Sequence, residues 1–287
     1  MNRSASVVVP TAGRAAASIS IRDVGMRFTK TDGSAVEAIR HVDETIDAGR
    51  FVAIVGPSGC GKSTLLSLIA GLQQPSSGEV AVGDRVMKSP SRSVGVVFQE
   101  ESTLPWKTVT DNVRFGMAVA GVGRREQEER AADMIALVGL RGFENAYPPE
   151  LSGGMRQRVA IARTLALDPS AMLMDEPFGA LDHQTRLLIG GEVRRIWRET
   201  NKTVVFVTHD IQEAILLSQE VWVMSYRPGR ILDKVQINLP DDRDTDVIGT
   251  EAFNADFNRI WSLVRGEAMQ AFEEIEHGGQ RDGKGQA

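Results

Sequence analysis

The chain has 287 residues, 42% of them apolar and 25% charged, with a formal net charge of −5 and a single cysteine. That length supports one large α/β domain or two smaller ones around a substantial core. The acidic balance argues against nucleic acid as a partner, and one cysteine excludes an internal disulfide, as suits a reducing compartment. No apolar stretch approaches the roughly 18–20 residues of a membrane-spanning helix, so a role at a membrane requires docking onto another subunit.

Residues 1–17 contain no acidic residue and are rich in Ala and Ser. A transit peptide has such a composition, but the arginines are sparse, and the segment reads as a disordered extension. Ile19 and Ile21 alternate with polar neighbours, so a strand opens the folded domain at about Ser18. FVAIV (51–55) is a continuous apolar run ending in glycine, the pattern of a strand buried on both faces. The stretch Gly56-Pro57-Ser58-Gly59-Cys60-Gly61-Lys62-Ser63-Thr64 follows, and then a helix from Lys62 carrying Leu65, Leu66, Leu68 and Ile69 on a broad apolar face.

Strand, glycine-rich loop and helix are the context in which G-x-x-x-x-G-K-[ST] cradles phosphates. The loop N–H groups point inward at a helix N-terminus. Lys62 reaches the β- and γ-phosphates, and the Ser63 hydroxyl holds Mg²⁺. Cys60 sits inside this loop, so bulky alkylation of its thiol is expected to block nucleotide, with MgATP altering the labelling.

Further apolar runs at VGVVF (94–98), AMLM (171–174), VVFV (204–207) and VWVM (221–224) alternate with helical stretches at 124–138, 154–167 and 183–199. The alternation predicts an α/β fold, a mostly parallel sheet flanked by helices. Gly190 and Gly191 lie together in the third helix, where each costs about 1 kcal/mol relative to alanine; close packing, a bend or a tolerated weakness would account for them. In AMLMDEPFGALD (171–182) the strand ends at Asp175, placing a carboxylate for the metal. Glu176 follows immediately, able to orient and deprotonate water. After Pro240 the acidic DDRDTD opens a linker. Residues 239–277 read as that linker and an amphipathic helix with Phe253, Phe257, Ile260, Trp261, Val264, Met269 and Phe272 near helical spacing, either packed on its own domain or docking a partner. Residues 278–287 read as a disordered tail.

LSGGMRQRVAIARTL (151–165) decides between the many proteins with such a loop. It resembles the signature motif of ATP-binding cassette (ABC) ATPases, in which Ser152, Gly153 and Gly154 open a helix that faces phosphate. VVFQE resembles the family's Q-loop, with Gln99 near the metal and the attacking water. ALD resembles the D-loop, with Asp182 toward the nucleotide. VTHD resembles the switch region, with His209 on the γ-phosphate, and Phe28 stands where an aromatic residue stacks on adenine. Met155 departs from the usual signature Gln. The resemblance spans residues 18–238. It implies a P-loop ABC ATPase domain with a small antiparallel β subdomain and an α-helical signature subdomain over about 100–165. It also implies ATP and Mg²⁺ as cofactors and a sandwich homodimer.

FVAIVGPSGCGKSTLL, STLPWKTVTDNV, LSGGM and FVTHDIQEA resemble more narrowly the nitrate, sulfonate, taurine and bicarbonate importer group. That implies a peripheral ATPase on the cytoplasmic face of the inner membrane. Its partners would be integral membrane permease subunits and, indirectly, an extracytoplasmic solute-binding protein. Leu104, Pro105 and Trp106 could line the socket for the permease, or Trp106 could be a core anchor. The competing readings are a soluble ABC ATPase of DNA repair or translation, and an exporter ATPase with a separate permease. Against the former, the interval from Ser63 to Leu151 carries no sustained heptads and the chain no second cassette.

Overall fold

The computed structural model describes residues 14–282 apart from 30, 32 and 100–102 as a succession of strands and helices. In order they are β1 (Ile19–Thr29), β2 (Ala35–Ile46), β3 (Phe51–Val55), α1 (Lys62–Ile69), β4 (Ser77–Val82), β5 (Arg85–Val86), β6 (Val94–Val97), α2 (Val109–Val119), α3 (Arg124–Leu137), α4 (Gly153–Leu165), β7 (Ala171–Asp175), α5 (His183–Thr200), β8 (Thr203–Val207), α6 (Ile211–Leu217), β9 (Glu220–Met224), β10 (Ile231–Gln236) and α7 (Glu251–Asp282). Two compact units result. One holds residues 19–46, 51–89 and 205–282, and the other 14–18, 47–50 and 90–204.

In the first unit, β2-β1-β4-β5 form an antiparallel sheet, and β10-β9-β3 lie beside the Val205–Val207 end of β8. All five residues of β3 are buried, and so are those of β8. Apolar side chains on both faces of a strand demand cover on both sides, which is why these runs do not alternate. Phe51 meets Phe206 edge to face at 6.0 Å, and Ile54 stands opposite Trp222 on the parallel neighbour β9. Each large side chain so buried contributes about 1.5–3 kcal/mol.

In the second unit, β6 and β7 pair in parallel with Val97 opposite Met174. Helices α2, α3 and α4 fill the chain between them, where the helical subdomain was expected. α4 buries Val159, Ala160, Ile161 and Ala162. Of the extension expected over 1–17, residues 14–17 are described, and Arg14 and Ala17 are hydrogen-bonded. Ala17 N–H donates to Ser170 O at 3.2 Å, and Lys202 Nζ bridges Arg14 O and Asp168 Oδ1, both at 2.7 Å. The remainder of the extension, and residues 283–287 of the expected tail, lie outside the described residues.

The amphipathic helix runs to Asp282, beyond the 277 expected. Its apolar set divides. Phe253 and Ile260 are buried, whereas Trp261, Met269 and Phe272 are exposed. α5 is continuous through its glycine pair. A Cβ added at exposed Gly191 would meet nothing within 4 Å, so of the readings offered for this residue the tolerated weakness holds. Gly191→Ala is therefore expected to stabilise the protein by about 1 kcal/mol. Urea denaturation checks this, and a lower midpoint would show that the backbone there is not an ordinary helix.

Candidate functional site

The phosphate loop leaves the buried end of β3 at Gly56 and enters α1 at Lys62. Gly61 is the N-cap, with φ +106, and no side chain caps the helix. The first N–H groups of a helix lack intrahelical partners and carry partial positive charge. Left without a side-chain cap, they suit an anion. Lys62 is buried, and its Nζ donates to Gly56 O at 2.9 Å and Pro57 O at 3.0 Å. The ammonium is thus satisfied by the loop it would use to hold phosphate. Ser58, Gly59 and Ser63 are exposed, and Thr64 is half-buried.

Cys60 differs from expectation. Its side chain is fully buried behind the loop, where a Cβ on Gly56 would come within 3.1 Å of its Sγ. Burial pushes the thiol up from its ordinary value, outweighing the nearby Lys62 charge. The thiolate is the reactive form, so a buried, raised thiol is a poor target. The thiol expected to report on the nucleotide is thus buried, with Lys62 Nζ donating to its sulfur at 4.0 Å.

β2 backs this loop, since a Cβ on Gly61 would lie 3.0 Å from Ala38 O. On the paired strand, Met26 is opposite Ile39 and Phe28 opposite Val36. Phe28 is 39% exposed, which leaves its ring available two residues along from the loop's backing. His209 follows β8 and is exposed. Thr208 N–H donates to Ile54 O at 3.2 Å, so His209 leaves the sheet beside the strand that feeds the phosphate loop. The turn is braced from below, with Thr208 Oγ1 donating to Glu213 Oε2 at 2.7 Å and Asp210 capping α6.

The other unit carries the carboxylates. Asp175 ends β7 half-buried, and Glu176 follows with φ +42. A non-glycine residue in the left-handed region is strained and is retained where its surroundings over-determine it. Here buried Phe178 anchors the next turn, and Gly179 N–H returns to Glu176 O at 3.0 Å. Because Val97 and Met174 are register partners, Gln99 and Glu176 leave adjacent parallel strands two residues later. Gln99 Nε2 lies 3.4 Å from Glu176 Oε2, a long and weak bond.

Ser152 is the N-cap of α4, its side chain accepting from Met155 N–H at 3.3 Å. Gly153 and Gly154 begin that helix, and a Cβ on Gly154 would lie 2.6 Å from Ile189 Cδ1 of α5. A side chain at the second signature glycine would have to displace the end of Ile189. Asp182 is the N-cap of α5, with Oδ1 accepting from Thr185 N–H at 3.0 Å and Oδ2 from Thr185 Oγ1 at 2.6 Å. Those two bonds hold its carboxyl below the usual range.

The structure also assigns Trp106, which is 71% exposed and no core anchor. Its turn is held by Asn112, a residue the sequence reading passed over. Asn112 is fully buried on α2. Its Oδ1 accepts from Leu104 N–H at 2.8 Å, and its Nδ2 donates to the carbonyls of Leu104, Lys107 and Thr108 at 3.1, 2.9 and 3.0 Å. The signal was present as a polar residue sharing a helical face with Val109, Val113 and Met117.

Comparison with known proteins places this geometry. A profile described as ABC transporter matches residues 39–179. An uncharacterized ABC transporter ATP-binding protein of Methanocaldococcus jannaschii is 49% identical over 242 residues, which is 84% of this chain and 90% of that protein. The nitrate import ATP-binding protein of a Synechocystis species is 43% identical over 263 residues, 90% of this chain and 98% of the relative. The taurine import ATP-binding protein of Rhizobium johnstonii is 49% identical over 212 residues, 74% and 81% of the two chains. Among solved structures, a dimeric ATP-binding cassette in a post-hydrolysis state with ADP and Pi aligns with TM-score 0.67 and 31% identity, covering 77% of this chain and all of that one.

Two outcomes follow from this geometry. In the folded protein Cys60 should react slowly with a maleimide whether or not MgATP is present; fast labelling abolished by nucleotide would restore an inward-facing thiol. Asn112→Ala should cost about 1–3 kcal/mol by taking their partner from the part-buried Leu104 N–H and Lys107 O, measurable by denaturant unfolding. An unchanged stability would mean that the turn holds without it.

Proposed function

Because the chain belongs to the ATP-binding proteins of the ABC transporter family, we propose that it is the ATPase subunit of an importer. In this reading two copies form a homodimer on the cytoplasmic face of the inner membrane. The dimer drives a separate integral membrane permease that takes up a small anionic solute delivered by an extracytoplasmic binding protein. Membership makes the chain an ATP-hydrolysing enzyme. The importer assignment is supported by the likeness to nitrate and taurine import proteins. It is carried by Trp106, a large apolar side chain exposed on a turn that buried Asn112 holds in place. Among the described residues no helix is long and apolar enough to cross a membrane, and a rigid exposed tryptophan is a feature a membrane partner can grip.

The residues take roles in one reaction. Phe28 stacks on the adenine. The backbone of Gly56 to Thr64, the uncapped start of α1 and the Lys62 ammonium bind the phosphates, with Lys62 turning from the loop carbonyls toward them. The described residues contain no cage of three or more His, Cys, Asp or Glu. Mg²⁺ requires none where phosphate and water complete its shell. Ser63, Asp175 and Gln99 would hold it, and it would neutralise phosphate charge. Glu176 accepts the proton of a water whose oxygen bonds to the γ-phosphorus while the bond to the ADP oxygen breaks. His209 contacts the γ-phosphate. Ser152, Gly153, Gly154 and Asp182 of the second copy close over the nucleotide, so ATP favours the closed dimer by differential binding and hydrolysis releases it.

The test is Glu176→Gln, expected to retain ATP affinity while losing about 10²–10⁴-fold in phosphate release. Trapped with MgATP in native membranes, the variant should co-purify a multi-spanning permease. Recovery of ribosomes, DNA or only soluble proteins would replace the importer with a soluble ATPase.

A further inference from the structure

The phosphate loop is gripped from outside by a segment that no sequence motif marked. The Ser225–Arg230 turn between β9 and β10 is locked within itself: Ser225 Oγ donates to Pro228 O and accepts from Arg230 N–H, both at 2.9 Å, and Ser225 is buried. The turn is also bonded into β2, with Gly229 N–H donating to Ala38 O at 2.9 Å and Arg40 N–H to Gly229 O at 3.0 Å. A Cβ on Gly229 would stand 2.2 Å from Cys60 O, so only glycine lets this turn lie against the loop. From it Arg227 reaches over, its Nε donating to Gly59 O at 2.8 Å. The other side of the turn is tied to α7, where Tyr226 N–H donates to Glu267 Oε2 at 2.7 Å. Glu267 also acts on the loop electrostatically, adding to the upward push on the Cys60 thiol.

We propose, building on the nucleotide-binding reading above, that Arg227 is a positioning residue for the phosphate loop and that Glu267 sets it, making α7 part of the nucleotide site. In a trans peptide the carbonyl and the following N–H point in opposite directions across one rigid plane. Arg227 holds Gly59 O away from the cradle and so turns Cys60 N–H inward. The bond from that N–H to Pro57 O, at 3.4 Å, is long and weak and is readily exchanged for a phosphate oxygen. Without the guanidinium the Gly59–Cys60 peptide is free to rotate, since Gly59 already sits at φ +75 where glycine is at ease in several basins. A carbonyl turned into the cradle would repel the phosphates that the N–H attracts. Arg227 touches no reacting atom in this scheme. It acts through the loop, and a displacement of α7 acts through Glu267 and the turn.

The experiment compares Mg²⁺–ATP affinity and turnover in the full chain for wild type, Lys62→Ala, Arg227→Met, Arg227→Lys, Glu267→Gln and Glu267→Ala, with melting temperature as the folding control. Arg227→Met should weaken ATP binding about tenfold, the scale of one charge-assisted hydrogen bond, with kcat at saturation nearly unchanged. Arg227→Lys should recover part of the loss. Glu267→Ala should raise the ATP Kd and KM in the same direction, while Glu267→Gln, which keeps an acceptor for Tyr226 N–H, should stay near wild type. Wild type that fails to bind ATP, or binds it as Lys62→Ala does, would overturn the nucleotide-binding reading itself. Wild type that binds, with Arg227→Met equal to it, would overturn the positioning role alone. If Arg227→Met does not fold, Glu267→Ala decides: a wild-type Kd overturns the link to α7, and a raised one upholds it.

Discussion

A buried ammonium sits at the centre of this protein's chemistry. Lys62 lies within the loop it belongs to, and burying a charge is tolerable only where hydrogen bonds replace water. Gly56 O and Pro57 O supply them. That requirement shapes what surrounds the loop. β3 must deliver Gly56 at a fixed height, which five wholly buried residues ensure. Cys60 is fully buried, its sulfur 4.0 Å from the same ammonium. β2 and the Ser225–Arg230 turn lie against the loop from their own side. Nothing in this arrangement is large, but each part removes one alternative conformation from a loop rich in glycine.

The carboxylate side rests on strand register instead. Parallel pairing of β6 with β7 sets Gln99 against Glu176 before any side-chain interaction is made, and their 3.4 Å separation is loose enough to change. The left-handed backbone at Glu176 shows where rigidity has been concentrated: in the main chain, with the side-chain pair left adjustable.

Much of this was legible from local sequence. FVAIV, AMLM and VVFV announced strands because burial on both faces leaves no alternation, and the loop between FVAIV and a leucine-rich helix announced itself by spacing. β2 was not legible, and the reason is physical. Its buried Ile39 and Val42 are three apart because His41 has φ +48 and the pairing with β1 shifts there, which breaks the two-residue period. Trp106 and Phe28 carried no local signal for exposure, since aromatic residues are at home in cores. Cys60 belonged to a recognised loop, but a motif specifies backbone and says nothing about which way an intervening side chain points. Arg227 and Gly59 are far apart in the chain and share no pattern; only the folded chain brings them together.

Asn112 gives the turn at Leu104–Lys107 a mechanical character. One planar amide bonds that turn to α2 through three hydrogen bonds and reaches the carbonyl of Thr108 with a fourth, and Thr108 itself caps the start of α2. A segment fastened in this way has little compliance: it translates with its helix and does not stretch away from it. Displacement at one end of α2 would then arrive at the Trp106 ring almost undiminished, as through a lever arm and not a spring. The stroke length available at that surface would be set by how far the helix moves.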